Sequence, residues 1–123
     1  RQGVASVMDR ADMLLLPSEV EAFGTIALEA MARRRLVLVS GSCGILNWPE
    51  LAPGVYAMYS GESLADAISR IASLSYEDRC QKAETAHGAA KTFNDRTIGQ
   101  WLALFESICL DPGQFRQHEK KAV

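Results

Sequence analysis

Glu21 and Glu29 stand eight residues apart on either side of a helix start led by Gly24. Free backbone N–H groups at such a start, here from about Phe23 or Gly24 onward, suit a phosphate or another anion. Glu21 falls before the helix and Glu29 about a turn and a half inside it, so the two carboxylates would meet one ligand at different depths. A sugar nucleotide has that shape. Paired carboxylates also invite a glycosidase reading, in which two acids flank the scissile bond. That chemistry needs no phosphate-binding helix start, and the strand-helix-strand context here suits a nucleotide better. Taken without their neighbours, Glu29 reads as a solvated helix acid, and Glu19 and Glu21 read as first-turn acids favoured by the helix dipole.

The elements that must position these groups follow from hydrophobic periodicity. Val4, Val7, Met8 and Ala11 recur at helical spacing, and Met13 to Leu16 is a short apolar run expected to be a buried parallel strand ended by Pro17-Ser18. A helix is expected from about Gly24 to Arg33, then a second strand from Leu36 to Ser40. A unit of this kind places the two strands side by side and parallel, with both carboxyl-end loops facing one crevice. The second of those loops is Gly41-Ser42-Cys43-Gly44-Ile45, and Val55 to Met58 follows Pro53-Gly54 as a short third strand. Leu64, Ala67, Ile68 and Ile71 mark an amphipathic helix. Ser75 to Asp78 resembles a capping box opening another, with Cys80, Ala83, Ala86 and Ala90 inward. Trp101, Leu102, Phe105, Ile108 and Cys109 mark a third, ended by Asp111-Pro112-Gly113. Residues 111–123 read as a polar tail.

The unbroken string from Pro17 to Ala32 resembles the Glu-x7-Glu signature of retaining glycosyltransferases of the GT-B fold, above all family 4, whose usual form is P-S-x-x-E-x-F-G-x-x-x-x-E-A-M-A. The order of elements follows that family to about residue 110. The resemblance implies an α/β fold: a partial Rossmann-like three-layer sandwich with a short parallel sheet and C-terminal helices, corresponding to the second half of a GT-B C-terminal domain. It also implies a nucleotide-sugar-binding domain over residues 1–110.

Under the resemblance, Glu21 is the catalytic-site carboxylate. It would contact hydroxyls of the donor sugar near the reacting carbon and favour the positive charge of an oxocarbenium-like transition state. Glu29 would hold the ribose hydroxyls, its side chain pointing back towards the helix N-terminus. Phe23, Gly24, Thr25 and Ile26 belong to the same donor site, the last three presenting backbone N–H groups to the diphosphate, with Gly24 lacking a Cβ that would block close approach. Cys43 and Gly44 occupy the glycine-pair position of a loop near the donor phosphates or sugar, and Pro49-Glu50 follows. The Cys-Gly variant is similar to the lipopolysaccharide-core glucosyltransferase branch. The resemblance calls for no metal and no cofactor, the nucleoside-diphosphate sugar being the donor substrate. Cys43 as a nucleophile has no local histidine partner, so an incidental or structural role is preferred.

Composition bounds the rest. A chain of 123 residues with net charge −2 and an apolar fraction of 48% suits an ordinary globular fold and carries no nucleic-acid footprint. Cys43, Cys80 and Cys109 are scattered and odd in number, which suggests neither a disulfide framework nor a zinc site and fits a reducing cytosol. No apolar stretch reaches the roughly 18 residues of a spanning helix. The expected location is the cytoplasm, at the inner face of the membrane if the acceptor is lipid-linked. The chain begins at Arg1 and reads as an excerpt of a longer polypeptide. The acceptor domain would lie in the same polypeptide or on a partner chain, and the excerpt alone should neither catalyse nor bind donor well, and should self-associate.

The clear departure from the family pattern is Arg33-Arg34-Arg35-Leu36, where a glycine usually ends the helix and a proline precedes the strand. A non-glycine residue in the left-handed turn costs on the order of 1 kcal/mol, partly offset by basic groups at a helix C-terminus. Two readings stand for the run: a basic patch docking on an acidic membrane surface as a peripheral contact, and a solvated helix end, which is preferred. Two functions stand as well. One is a fragment of a hexosyl-transferring retaining glycosyltransferase acting on a glycan or lipid-linked acceptor. The other is a non-catalytic Rossmann-like regulatory or assembly module derived from such an enzyme.

Overall fold

A computed structural model of the chain describes residues 3–110. The apolar runs become strands and the amphipathic segments helices, in the order α1 (Val4–Met8), β1 (Met13–Leu16), α2 (Thr25–Ala32), β2 (Leu36–Val39), β3 (Tyr56–Ala57), α3 (Leu64–Ala72) and α4 (Tyr76–Leu110). Short 3-10 turns cover Gly44–Asn47 and Ala52–Gly54. The sheet has the order β1-β2-β3 and both pairings are parallel, with Met13 opposite Leu36 and Leu38 opposite Tyr56.

Each position of β2 is buried, as a strand covered on both faces requires. Strand periodicity sends Leu36 and Leu38 to one face, where they pack with Ala67 and Ile71 of α3. Val37 and Val39 take the other face, over which α2 buries Ala27, Ala30 and Met31. Full burial of a side chain such as Leu38 or Ile71 stabilises the fold by about 1.5–3 kcal/mol. β1 stands at the sheet edge, and its Leu15 remains 39% exposed.

Helix starts are set by serine caps. Ser63 accepts the Asp66 N–H at 3.1 Å and Ser75 accepts the Asp78 N–H at 3.0 Å, each cap contributing about 1 kcal/mol. Both hydroxyls also donate to the carboxylate of the same aspartate. The last carbonyls around the end of α3, those of Ala72 and Leu74, accept from Arg79 Nη1.

Several boundaries differ from the sequence reading. α1 ends at Met8 rather than Ala11, α2 begins at Thr25, β2 stops at Val39, and β3 holds only Tyr56–Ala57. The helices expected near Ser75 to Ala90 and Trp101 to Cys109 are one element, α4. Only Gly99 interrupts the intervening helical pattern strongly, and a lone glycine costs about 1 kcal/mol, too little to stop a helix without a proline. Cys80, expected inward, is exposed, while Ala86 and Ala90 are buried. The chain divides into a compact unit ending at Thr92 and a second beginning at Phe93. In the second unit Ile98, Trp101, Leu102 and Phe105 are exposed, and the Trp101 and Phe105 rings stack at 5.8 Å. The expected stop at Asp111-Pro112-Gly113 and the tail of residues 111–123 lie outside the described residues.

Arg34 takes the left-handed conformation, φ 56°, where the family pattern favours glycine. Its neighbours tie the turn down. Arg33 pairs with Asp9 and Arg34 with Glu84, both at 2.7 Å, and Arg35 donates to the Ala11 carbonyl. Exposed pairs of this kind contribute about 0–1 kcal/mol each. Among the described residues, no helix is long and apolar enough to cross a membrane.

Candidate functional site

Parallel strands end together, so the loops after β1, β2 and β3 meet at one end of the sheet. The first two loops are sewn to each other. Ser42 Oγ donates to the Glu19 carbonyl at 2.9 Å, Gly44 N–H donates to the Glu21 carbonyl at 2.9 Å, and Cys43 Sγ reaches the Phe23 carbonyl at 3.7 Å. Gly44 sits so near Ala22 that a Cβ there would overlap the Ala22 carbonyl oxygen. Only glycine lets the two backbones approach this closely.

The first loop then turns into α2. Glu21 Oε1 accepts the N–H groups of Phe23 at 3.3 Å and Gly24 at 3.0 Å, which folds the carboxylate over the loop's own backbone. Gly24 has φ 85°, a left-handed conformation, and is buried against Cys43 Sγ and Leu16. The first backbone bond of the helix is Ala27 N–H to the Gly24 carbonyl, 2.8 Å. The N–H groups of Thr25 and Ile26 come before it, on exposed residues, where the helix dipole favours negative charge.

The expected site residues therefore fall into three places. Glu21, Phe23, Gly24, Cys43 and Gly44 form one joined knot, in which Cys43 and Gly44 are buried and hold the loops together. Thr25 and Ile26 form the helix start beside it. Glu29 lies further along α2; it is exposed, on the face away from buried Ala27, Ala30 and Met31. Four residues after Thr25, it shares that residue's face about 6 Å further along the axis.

Sequence reasoning missed the third loop. It is braced by Arg70 of α3, whose Nε and Nη2 both bond Glu62, at 2.8 and 2.9 Å, while Nη2 also donates to the Ala57 carbonyl. Glu62 Oε2 in turn accepts the Tyr59 N–H at 2.9 Å, and the Arg70 guanidinium lies 4.1 Å from the Tyr59 ring centroid. The hydrogen bond from Arg70, reinforced by the Tyr59 N–H, holds the Glu62 carboxyl below its ordinary range. The same hydrogen bond raises the affinity of Arg70 for its proton. The three loops enclose a crevice of about 500 Å³ lined by Ser18, Glu19, Ser40, Ser42, Tyr59 and Ser60, among others. The rule that ligand loops follow parallel strands could have pointed to Tyr59-Ser60 as it did to Gly41-Ser42.

A larger cavity, about 630 Å³, opens at the amino ends of β1 and β2 between Asp12, Arg34, Arg35 and Arg79. The carboxyl-end crevice is the candidate site because the glycine turn and the helix start stand at that end. Among the described residues, no three His, Cys, Asp or Glu side chains cluster as metal ligands would.

The family model described as Glycosyl transferases group 1 matches residues 1–87. The chain belongs to that family. No curated protein matches this group 1 glycosyltransferase chain in sequence. Among solved structures, WaaG, a glycosyltransferase involved in lipopolysaccharide biosynthesis, is similar at 30% identity with a TM-score of 0.62, over 75% of this chain and 25% of that one. The chain thus spans about a quarter of WaaG's length. The short parallel sheet with its following helices is a Rossmann-like fragment of the GT-B glycosyltransferase fold.

Proposed function

We propose that this chain is the distal half of the C-terminal, donor-binding domain of a family 4-like retaining glycosyltransferase. The whole enzyme would transfer a sugar, of hexosyl type, from a nucleoside-diphosphate sugar to a glycan or lipid-linked acceptor. The observation that carries the reading is the start of α2. Gly24 turns left-handed, Glu21 closes the loop behind it, and the N–H groups of Thr25 and Ile26 precede the first helical bond on exposed residues. A diphosphate leaving group placed there would be stabilised as its negative charge grows, and this reading requires no metal. Glu21 would meet the sugar near its reacting carbon through its second carboxylate oxygen, and Glu29, behind Thr25, the ribose. Cys43 and Gly44 would serve the donor by fixing the loop. The likeness to WaaG supports a glycan or lipid-linked acceptor.

On this reading the acceptor domain belongs to the same polypeptide or to a partner chain, the protein works in the cytoplasm, and the isolated chain has no transferase activity. The test is kinetic, in the polypeptide that carries both domains. Glu21→Ala should mainly lower turnover, Glu29→Ala should mainly raise the donor KM, and the product should keep the donor's anomeric configuration. Inversion, or near-zero effects from both substitutions, would reject the reading. A non-catalytic module is the second reading, favoured by one observation: Glu21 Oε1 is already engaged by its own loop. Absence of sugar transfer alongside intact nucleotide binding would select it.

A further inference from the structure

We infer that the crevice between the three carboxyl-end loops is a subsite for the neutral, hydroxyl-rich part of a glycan, separate from the helix start that takes the diphosphate. The inference rests on the glycosyltransferase reading and deepens it. Its first ground is the chemistry of the lining. Ser18, Ser40, Ser42 and Ser60 bring four hydroxyls to one crevice with Glu19 beside them, and none of the lining side chains is basic. A diphosphate entering there would meet a carboxylate and no cation to neutralise it. Sugar hydroxyls, which both donate and accept, match serine hydroxyls and a carboxylate in kind.

The second ground is what those hydroxyls have left to offer. Ser42 gives its proton to the Glu19 carbonyl, so in the 3.3 Å contact between the two serines Ser40 is the donor, and lone pairs remain on both oxygens. Among the described residues nothing bonds the hydroxyls of Ser18 and Ser60. The crevice therefore has unspent donors and acceptors on opposite walls.

The third ground is Tyr59. It is 64% exposed, yet its backbone and ring are both held: Glu62 takes its N–H, and Arg70, locked on that same Glu62, covers one ring face at 4.1 Å. Tyr59 also lines the crevice. A pre-ordered aromatic face beside hydroxyl groups suits the apolar C–H side of a pyranose ring, because little side-chain freedom remains to be lost on binding. Arg70 acts here as a positioning residue, through Glu62 and Tyr59, rather than by touching the ligand.

The test is a set of amide-resolved NMR titrations of the chain with maltotriose, cellotriose and inorganic pyrophosphate. The neutral sugars should shift the amides of Ser40, Ser42, Tyr59 and Ser60, and pyrophosphate should shift those of Thr25 and Ile26. Tyr59→Ala and Ser40→Ala should each weaken the sugar titration, Tyr59→Ala by about tenfold, and leave the pyrophosphate titration unchanged. Tyr59→Phe, which keeps the ring over Arg70, should retain most of the sugar response and serves if the alanine variant does not fold. Crevice amides that respond to neither sugar, or to pyrophosphate instead, overturn the inference. So does a sugar response indifferent to both Tyr59→Ala and Ser40→Ala. Absence of a pyrophosphate response at Thr25 and Ile26 with the sugar response intact would reject the diphosphate role of the helix start and leave the crevice assignment standing.

Discussion

The N–H of Gly44 donates to the carbonyl of Glu21 at 2.9 Å, one of three bonds that join the loop after β2 to the loop that carries the proposed catalytic carboxylate. A Cβ at residue 44 would overlap the Ala22 carbonyl oxygen, which is backbone and cannot swing aside. Gly44→Ala is therefore expected to lower stability by more than about 2 kcal/mol, a strain effect well above that of an ordinary surface substitution. Urea unfolding followed by circular dichroism measures it. An unchanged midpoint would mean that the two loops do not meet in this way.

On the proposed reading Glu21 combines a structural and a chemical task that substitution can separate. Its Oε1 accepts two backbone N–H groups, so Glu21→Ala should cost about 1–3 kcal/mol in stability as well as activity. Glu21→Gln keeps an acceptor oxygen in place and removes the charge. It should melt near the parent temperature, while turnover in the two-domain polypeptide falls by at least about tenfold. Full activity in the glutamine variant would show that the charge of Glu21 has no part in catalysis.

The brace on the third loop should fail in acid. The Glu62 carboxyl is held below its ordinary value of 4.5 by Arg70 and the Tyr59 N–H, so the folded state binds its proton more weakly than the unfolded state does. Its contribution is then fully present above the unfolded pKa and is lost as pH falls through the lower, folded value. The Tyr59 amide should accordingly be protected from hydrogen exchange at neutral pH and lose protection below the ordinary carboxylate range, after correction for the intrinsic rate. In Glu62→Gln that acid-dependent step should vanish. A step of equal size in both proteins would assign it to another group.

The exposed edge of β1 carries a further consequence. An edge strand offers unpaired N–H and C=O groups, and here Leu15 and an apolar cavity of about 200 Å³ bordered by Val7, Ala11 and Leu15 lie along it. Self-association of the chain is expected, and Leu15→Lys, which sets a charge on that edge, should reduce it. Sedimentation velocity over a range of concentrations is the measurement. A parent chain that stays monomeric throughout, with micromolar affinity for nucleotide sugars, would show a self-sufficient binding module.

What the sequence determined by itself is what local patterns encode. The apolar runs at Met13 to Leu16 and from Leu36, the helical spacing of Leu64 to Ile71 and the Ser75 cap each depend on neighbours a few residues away, so strand, helix and helix start were legible without coordinates. Arg34 in the left-handed turn was legible for the same reason. Where competing local signals were weak, as between Ala90 and Trp101, the boundary was lost and two expected helices proved to be one. Only the tertiary structure decided the rest. It turned Cys43 and Gly44 inward as loop ties and brought Arg70 beneath Tyr59 to build a third wall for the crevice. The ties of Glu19 to Ser42 and of Phe23 to Cys43 join residues twenty or more positions apart on different strands' loops, and they exist only once the parallel sheet has brought the strand ends together.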